Sequence, residues 1–407
     1  MSVAISGLDQ AEEYIAGICF KTGPPSLLGV ELEWTVHHTD DLTRPVDTDL
    51  LARALHPHAP PTVDPHTDHL PLPHGGVVTV EPGGQVEISS PPHRSLAALH
   101  AAATADVAHL TELLARAGLR TGALATDAHR PARRLLHTPR YDAMSDALTV
   151  DGHVMMCSTA AVQVSVDAGR TGRVVARWAA VHAVGPVLVA LFANSDRLAG
   201  CATGWASTRM RAWLRMDPRR TAPVPVGDDP AADWARYALR APVLVVRRDG
   251  QPWLRPPARV SFAEWIGGAL DTPPTYADLD YHLTTLFPPV RPRGYLEVRY
   301  LDQQPAREWH APVAVLAALL ADEACVDAVR DLCAGVEGRW EPAAQFGLAD
   351  PEIAVAAKAV AELAGRQLSA TGLPREVCDE INELVGRRLA MGGEMSRMGW
   401  DNGWERR

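Results

Sequence analysis

The sequence predicts an α+β fold, in which an antiparallel or mixed sheet carries helices on its apolar face. Two observations support this prediction. Segments with alternating apolar and polar residues are interleaved with helical segments through the first three quarters of the 407-residue chain. The last quarter, from about residue 305, is rich in Ala, Leu, Glu and Arg and predicts only helices. We expect a single domain over residues 1–407 with a helical C-terminal part.

Four of the expected strands alternate clearly between an apolar and a polar face. They are LLGVELEWTV, VEISS, TAAVQVSVD and GYLEVRYLD, and the pattern of the last one slips near Tyr300. A glycine turn, EPGGQ, joins VEISS to the strand before it. The polar faces carry Glu31 and Glu33 on the first strand, Glu87 on the second, Gln163 on the third, and Glu297 and Arg299 on the fourth.

Helices are expected between these strands. Ser95 is a candidate N-cap for a helix that ends near Gly118. The longest apolar stretch, residues 174–194, contains Arg177 and Pro186, which favours a buried, interrupted helix over a membrane span. The N-terminus lacks the basic-then-apolar order of a signal peptide, so we expect no membrane partner.

Charge and cysteine content narrow the class of protein further. With 39 Lys and Arg against 49 Asp and Glu, the formal net charge is −10. This balance argues against binding along a nucleic-acid backbone, which requires a basic face, so nucleic acid is not expected as a partner. The six cysteines form no CxxC pair. We expect them to be reduced thiols in a cytoplasmic protein.

The carboxylates on the strands are the main functional signal. Glu31 and Glu33 point the same way, Glu87 and Glu297 occupy comparable positions, and Glu81 lies at the glycine turn. For any one of them, a solvated sheet face is the simpler interpretation. If the strands are neighbours, however, the carboxylates converge and raise one another's pKa unless cations are bound. Hard oxygen ligands in this number suit Mg²⁺ or Mn²⁺, and Mg²⁺ usually also binds substrate phosphates.

Arg299 lies on the same strand as Glu297, and its role has two interpretations. It can form an ion pair across the strands, or it can stabilise the charge on a transferring phosphoryl group. The chain contains no P-loop, dinucleotide-binding or hydrolase-elbow motif. A histidine-rich segment fits no standard zinc spacing, and we expect it to be a loop beside the site. Its histidines are His56, His58, His66, His69 and His74.

Five blocks occur in the order seen in a known enzyme family: GVELEW, VEPGGQVEISSPP, MMCSTAAVQVSVD, WASTRMRAWLRMDPRRT and YLEVRYLD. Together they resemble the glutamate–cysteine ligases of the plant and bacterial type. The resemblance is closest to the actinobacterial branch that makes γ-glutamylcysteine for ergothioneine biosynthesis. The blocks run from about residue 28 to about residue 305, and the EPGGQ block is the most specific of them.

The resemblance implies a glutamine-synthetase-like catalytic fold, in which a curved antiparallel sheet with helices on its outer face holds Mg²⁺ (or Mn²⁺) and ATP. It also implies the reaction. The γ-carboxylate of L-glutamate is phosphorylated by ATP, and the amine of L-cysteine displaces phosphate to give γ-glutamylcysteine, ADP and phosphate. The partners expected are therefore these small molecules, while the oligomeric state stays open.

Roles carried over from the family attach to particular residues. Arg299 is expected to act in catalysis with Glu297. Arg209 or Arg211 is expected to hold the α-carboxylate of glutamate, with Arg220 as a second anion-binding candidate. For the thiol pocket, the resemblance assigns no residue; Tyr141, Tyr295, Trp205 and Trp213 are candidates by residue type alone, and nothing in their spacing singles one out. The expected metal ligands are Glu31, Glu33, Glu81, Glu87, Glu297 and Gln163, the last through its amide oxygen.

Three alternatives remain at the level of sequence. The first is a carboxylate–amine ligase of the same fold with a different amine acceptor. The second is a nucleotide- or metal-binding module without turnover, although such a module usually loses charged site residues. The third is a glycosidase, which requires only two acids and an aromatic sugar platform. With 6% aromatic residues and at least four candidate acids, the glycosidase ranks last.

Overall fold

The computed structural model describes residues 3–247, 253–256 and 259–397. Its strands are β1 (Leu28–Trp34), β2 (Val36–His38), β3 (Val77–Val80), β4 (Val86–Ser89), β5 (Leu119–Thr121), β6 (Ala161–Val166), β7 (Arg197–Leu198), β8 (Cys201–Ala202), β9 (Val290–Pro292) and β10 (Leu296–Asp302).

The α-helices are distributed along the whole described chain. They are α1 (Leu8–Cys19), α2 (Thr48–Leu55), α3 (Leu96–Arg116), α4 (Pro139–Ala147), α5 (Val150–Ser158), α6 (Val174–Ala183), α7 (Gly185–Leu191), α8 (Thr208–Met216), α9 (Pro218–Thr221), α10 (Pro230–Arg240), α11 (Phe262–Ile266), α12 (Tyr276–Leu283), α13 (His310–Leu319), α14 (Glu323–Cys333), α15 (Trp340–Phe346), α16 (Pro351–Leu368) and α17 (Arg375–Arg397). Short 3₁₀ helices occur at Thr171–Arg173, Gly347–Ala349 and Ser369–Thr371.

The main sheet has six strands in the order β3-β4-β1-β6-β10-β9, and every neighbouring pair is antiparallel. The four strands predicted from alternation are therefore adjacent at its centre. Glu33 lies opposite Glu87, and Glu31 lies opposite Gln163. Because opposed residues point to the same face, the polar side chains share one face of the sheet.

The other face of the sheet is apolar and covered by helices. Leu32, Val164 and Val298 are fully buried on it, and α3 and α13 contact β1 and β6. The predicted N-cap of α3 is observed, because the Ser95 hydroxyl accepts a hydrogen bond from the Ala98 amide at 3.1 Å. The α+β class with an antiparallel sheet and helices on one face is thus confirmed.

The long apolar stretch forms two buried helices. The predicted interruption near Pro186 is present, since α6 ends at Ala183 and α7 begins at Gly185. By length and composition Thr171–Leu191 could cross a membrane, but 83% of its most apolar window is buried inside the protein, as in a core helix. Gly185 is required here, because a Cβ would come within 2.0 Å of the Trp340 ring.

Beyond β10, the chain described up to residue 397 forms helices and turns only. Arg388 of α17 reaches back to the end of β10, where its Nη2 donates to Oε1 of Gln304 at 2.5 Å. One hydrophobic cluster extends from Ile5 to Val385. The single domain over residues 1–407 stays a prediction.

The EPGGQ turn is fixed by contacts with the backbone before β6. The Gln85 amide donates to the carbonyls of Met156 and Thr159 at 3.2 and 2.8 Å, and its Oε1 accepts from the Gly83 amide at 3.0 Å. Gly83 packs so closely that a Cβ would lie 2.1 Å from the carbonyl oxygen of Cys157. Glycine at this position therefore lets the turn pack directly against the backbone that leads into β6.

We predict that Gly83→Ala lowers the free energy of unfolding by roughly 1–3 kcal/mol, because an added methyl group must displace backbone atoms. Urea denaturation measures this change. The matched control is Gly17→Ala in α1, where nothing lies within 4 Å of the added Cβ. The control is expected to equal or exceed the wild type in stability. Equal stability of the wild type and Gly83→Ala would contradict the close approach.

Candidate active site

A cavity of about 560 Å³ opens on the polar face of the sheet. Its charged lining consists of carboxylates and guanidinium groups. The carboxylates are Glu31, Glu33, Glu81, Glu87 and Asp280, and the guanidinium groups are Arg140, Arg291, Arg293 and Arg299. We call Glu31, Glu33, Glu81 and Glu87 the acidic wall, and the arginines the basic wall.

The acidic wall is held by the pairing of β1, β4 and β6. Glu33 accepts from the Ala161 amide at 2.8 Å and from the Gln163 side-chain amide at 2.9 Å. Across the strands, Glu87 accepts from the Thr79 hydroxyl at 2.7 Å. Strand register therefore places these carboxylates next to one another on one face of the sheet.

Burial and mutual repulsion raise the pKa values of these carboxyl groups. Burial and then the charge of Glu81 raise the pKa of Glu33 to about 7. Burial and the neighbouring Glu87 raise the pKa of Glu81 to about 8. The pKa of Glu31 is raised by burial and then by the charge of Glu297, and the pKa of Glu87 is raised by burial and then by the charge of Glu33. Without a cation, the wall therefore retains protons near neutral pH.

The donor set of the acidic wall fits a hard divalent cation. All of its potential ligands are oxygen atoms, and the Oε1 atom of Gln163 is buried without a hydrogen-bond partner. Among the residues described, no three carboxylate, histidine or cysteine side chains already stand close enough to enclose a metal ion. Small side-chain movements toward a shared cation would relieve the repulsion that the pKa values record.

The basic wall is organised by one buried carboxylate. Glu297 is fully buried and accepts from Arg291 Nε at 2.6 Å, Arg299 Nη1 at 2.9 Å and Arg293 Nη1 at 3.4 Å. Burial alone would raise the pKa of Glu297, but the arginines hold it well below its usual range. Glu297 does not line the cavity. Its predicted role as a metal ligand stays a prediction, which requires these arginines to release it.

Three arginines of the basic wall were missed by the sequence analysis. Arg291 and Arg293 precede the turn into β10, and Arg291 pairs directly with Glu297 in register. The alternation of the two in VRPRG was a signal that a hairpin would place them beside Glu297. Arg140 comes from α4 and donates to the carbonyl and hydroxyl of Thr284 at 2.9 and 3.0 Å. No local pattern marked it.

The arginines predicted to bind glutamate do not line the cavity, and their role in binding stays a prediction. Arg209 is 1% exposed and Arg220 is 2% exposed, and both hydrogen-bond to backbone carbonyls. Arg211 is half-buried on α8 but does not line the cavity either. In this structure, Arg209 and Arg220 use their guanidinium groups to hold backbone segments together.

The aromatic candidates divide in the same way. Tyr141 and Trp213 line the cavity, whereas Tyr295 and Trp205 do not. The remaining apolar lining includes Met144, Met155, Met156 and Phe287. The cavity thus has a soft, polarisable side as well as its charged walls.

The histidine-rich segment is a loop, as predicted, and it packs beside β3. Its predicted place beside the site stays a prediction. His58 Nδ1 donates to the Leu70 carbonyl at 2.9 Å, and His69 Nε2 donates to the Val78 carbonyl at 2.8 Å. Backbone contacts of this kind fold the segment against the edge of the sheet at β3. None of its five histidines is among the cavity-lining residues.

The cavity combines carboxylate oxygens, which can bind a divalent cation, with guanidinium groups, which can bind phosphates and carboxylates. This combination defines a class of enzyme. Such a site suits a ligase that activates a carboxylate with a nucleoside triphosphate. The chain belongs to glutamate–cysteine ligase family 2, whose model matches residues 27–392. The family predicted from the sequence is therefore confirmed.

Individual relatives agree with this assignment. The chain is 40% identical over 382 residues to glutamate–cysteine ligase EgtA of Mycolicibacterium smegmatis, covering 90% of this chain and 86% of the relative. It is also 40% identical over 398 residues to EgtA of Mycobacterium tuberculosis, covering 94% and 88%. A solved glutamate–cysteine ligase from Francisella tularensis, in complex with AMP, shares the fold with a TM-score of 0.54 at 12% identity, covering 93% and 84%.

The raised pKa values predict an unusual dependence of stability on pH. Since a free glutamate titrates near pH ~4.3, the folded apoprotein binds more protons than the unfolded chain between about pH 4.5 and pH 8. The stability contributed by these protons is present at acidic pH and is lost as the pH rises through about 7 to 8. We predict that Mg²⁺ raises the melting temperature more at pH 8 than at pH 6.

Thermal melts of the wild type and Glu81→Gln, with and without Mg²⁺, test this prediction. Without Mg²⁺, the melting temperature of Glu81→Gln should rise relative to that of the wild type as the pH rises, because the variant has no carboxyl group to deprotonate at this position. The control is Glu264→Gln, a capping glutamate outside the cavity. An effect of Mg²⁺ that is the same at both pH values would show that the acidic wall does not bind the ion.

Proposed function

We propose that the cavity binds ATP and Mg²⁺ between its two walls and there activates L-glutamate for attack by L-cysteine. Family membership and the 40% identical relatives confirm that the chain is an ATP-dependent glutamate–cysteine ligase. The observation that carries the assignment of the site is the pairing of four buried carboxylates with the Arg291–Arg293–Arg299 group across one cavity. A nucleotide in the Francisella structure supports the same use of this fold.

The first chemical step transfers a phosphoryl group. An oxygen of the glutamate γ-carboxylate attacks the γ-phosphorus of ATP, the bond to the β-phosphate oxygen breaks, and ADP leaves. Glu31, Glu33, Glu81, Glu87 and the orphan oxygen of Gln163 would hold Mg²⁺, which supplies charge neutralisation at the phosphates when bound. Arg299 is suited to contact the transferring group, because its Nε has no hydrogen-bond partner among the described residues.

The second step forms the amide. The cysteine amine attacks the carbonyl carbon of γ-glutamyl phosphate, the carbon–oxygen bond to phosphate breaks, and the proton lost by the amine passes to the departing phosphate or to water. The basic wall stabilises the departing phosphate. The sulfur-rich and aromatic side of the cavity, with Tyr141, Trp213 and the methionines 144, 155 and 156, provides a polarisable surface for the thiol.

The wider role follows from the same likeness. The product is γ-glutamylcysteine, and the relatedness to mycobacterial EgtA supports a role in ergothioneine biosynthesis. All substrates are small molecules, and a cytoplasmic location fits five of the six cysteines being buried and all six unpaired.

Product analysis tests the proposed reaction. The purified protein is supplied with Mg²⁺ and ATP, glutamate and cysteine are omitted in turn, and ADP release is measured while the product is identified by mass. We expect release that requires both amino acids, with γ-glutamylcysteine formed. Release with glutamate and a different amine would contradict the acceptor, and no release under any combination would contradict the enzyme assignment.

A substitution in the basic wall tests the proposed role of Arg299. Arg299→Lys keeps the positive charge but removes the planar fork, and we expect kcat to fall about a hundredfold or more. The control is Arg211→Lys on α8, outside the cavity, which should retain wild-type kcat. Steady-state ADP release measures both variants. Near-normal turnover of Arg299→Lys would exclude contact between this guanidinium and the reacting phosphoryl group.

A further inference from the structure

Arg140 is held differently from the other three arginines of the basic wall. Those three form ion pairs with Glu297, whereas Arg140 forms no ion pair within the part of the chain that the structure describes. Its Nη1 and Nη2 donate to the hydroxyl and the carbonyl of Thr284 at 3.0 and 2.9 Å. Its charge also opposes the rise in the pKa of Glu81, so the guanidinium lies near the acidic wall. An arginine in this state can bind an anionic group of a substrate.

The ring of Tyr281, on α12, contacts this arginine and a second one. The Cζ atom of Arg140 lies over the ring at 5.5 Å from its centroid, and the Cζ atom of Arg247 lies at 4.2 Å. The indole of Trp253 meets the same ring edge-on, with 5.4 Å between the centroids. A cation over an aromatic ring is attracted by the negative charge of the ring face. The Tyr281 ring therefore adds a second attachment for Arg140 beside the hydrogen bonds to Thr284.

These contacts use the face of the ring and not its hydroxyl group. Among the residues described, neither the Tyr281 hydroxyl nor Nε of Arg247 has a hydrogen-bond partner. Phenylalanine would preserve the ring face at this position, whereas an aliphatic side chain would remove it. The two substitutions therefore separate the ring from the hydroxyl.

The segment that carries Arg247 and Trp253 is tied to both helices around Arg140. Arg247 Nη2 donates to the Ala277 carbonyl, in the first turn of α12, at 2.7 Å. Arg255 Nη1 donates to the carbonyl of Asp146, near the end of α4, at 2.6 Å. Since α4 carries Arg140 and α12 carries its partners, this segment supports the arginine from outside the cavity.

We infer that Tyr281 is a positioning residue, whose ring holds the Arg140 guanidinium against Thr284 so that it can bind an anionic group of a substrate in the cavity. The inference rests on the proposed function of the site. Tyr281 is not among the cavity-lining residues, whereas Arg140 and Thr284 are. The effect of the ring on a substrate therefore passes through Arg140.

Steady-state kinetics of Tyr281→Leu and Tyr281→Phe test the inference, after the wild type has been shown to release ADP only with both amino acids. A failure of the proposed function would appear in that wild-type measurement. In Tyr281→Leu we expect kcat/KM for the substrate that Arg140 binds to fall about three- to tenfold, as loss of a cation–π contact predicts. Tyr281→Phe should retain the wild-type value. Equal losses in the two variants, or no loss in Tyr281→Leu, would overturn the inference.

A double-mutant cycle with Arg140→Met separates positioning from general destabilisation. Arg140→Met shows which of glutamate, cysteine and ATP depends on this arginine, through the KM that it raises. If Tyr281 acts through Arg140, Arg140→Met/Tyr281→Leu should be no worse than Arg140→Met alone. Additive losses would overturn the inference, and so would wild-type kinetics of Arg140→Met.

The matched control is Tyr276→Leu, on the same helix. Tyr276 is also half-buried, stacks on Tyr14 at 4.7 Å between the centroids, and does not line the cavity. This variant should lose thermal stability but keep the wild-type kcat/KM for every substrate. If Tyr281→Leu does not fold, Tyr281→Met replaces it in the cycle, because methionine fills more of the space without a ring.

Discussion

The site depends on one electrostatic constraint: buried carboxylates of like charge held side by side by strand pairing. Glu33 and Glu87 face each other across β1 and β4, while Glu31 shares their face of the sheet. A folded chain accepts this repulsion only when protons, arginines or cations balance it. The raised pKa of Glu33, which lines the cavity, and the depressed pKa of Glu297, which lies behind the lining arginines, show two of these solutions.

The two solutions give the cavity its polarity. The carboxylates of the acidic wall keep protons that a divalent cation can displace. Glu297, in contrast, forms ion pairs with three arginines, and the group has a net positive charge. ATP requires both environments, because its phosphates bind a cation and also need donors that stabilise the transferring group. The apolar helices behind the sheet, joined to β10 through Arg388, hold these opposed charges in place.

Much of this arrangement was predictable from the sequence because strand alternation has a period of two. Alternation placed Glu31 and Glu33 on the polar face of one strand and Glu87 on the polar face of another. These faces coincide once the two strands are neighbours in the sheet. The arginines were harder to place, because their positions depend on pairing and burial rather than on period. Arg291 needed the hairpin register, and Arg209 needed the knowledge that α8 packs against β10.

The central claim is that this cavity activates the γ-carboxylate of glutamate by phosphorylation. Transfer of ¹⁸O tests it most directly: glutamate labelled with ¹⁸O in its γ-carboxylate is converted with ATP and cysteine, and the released phosphate is examined by mass. A γ-glutamyl phosphate intermediate leaves one labelled oxygen in the phosphate, because that oxygen bridged carbon and phosphorus. Unlabelled phosphate alongside γ-glutamylcysteine would contradict the account.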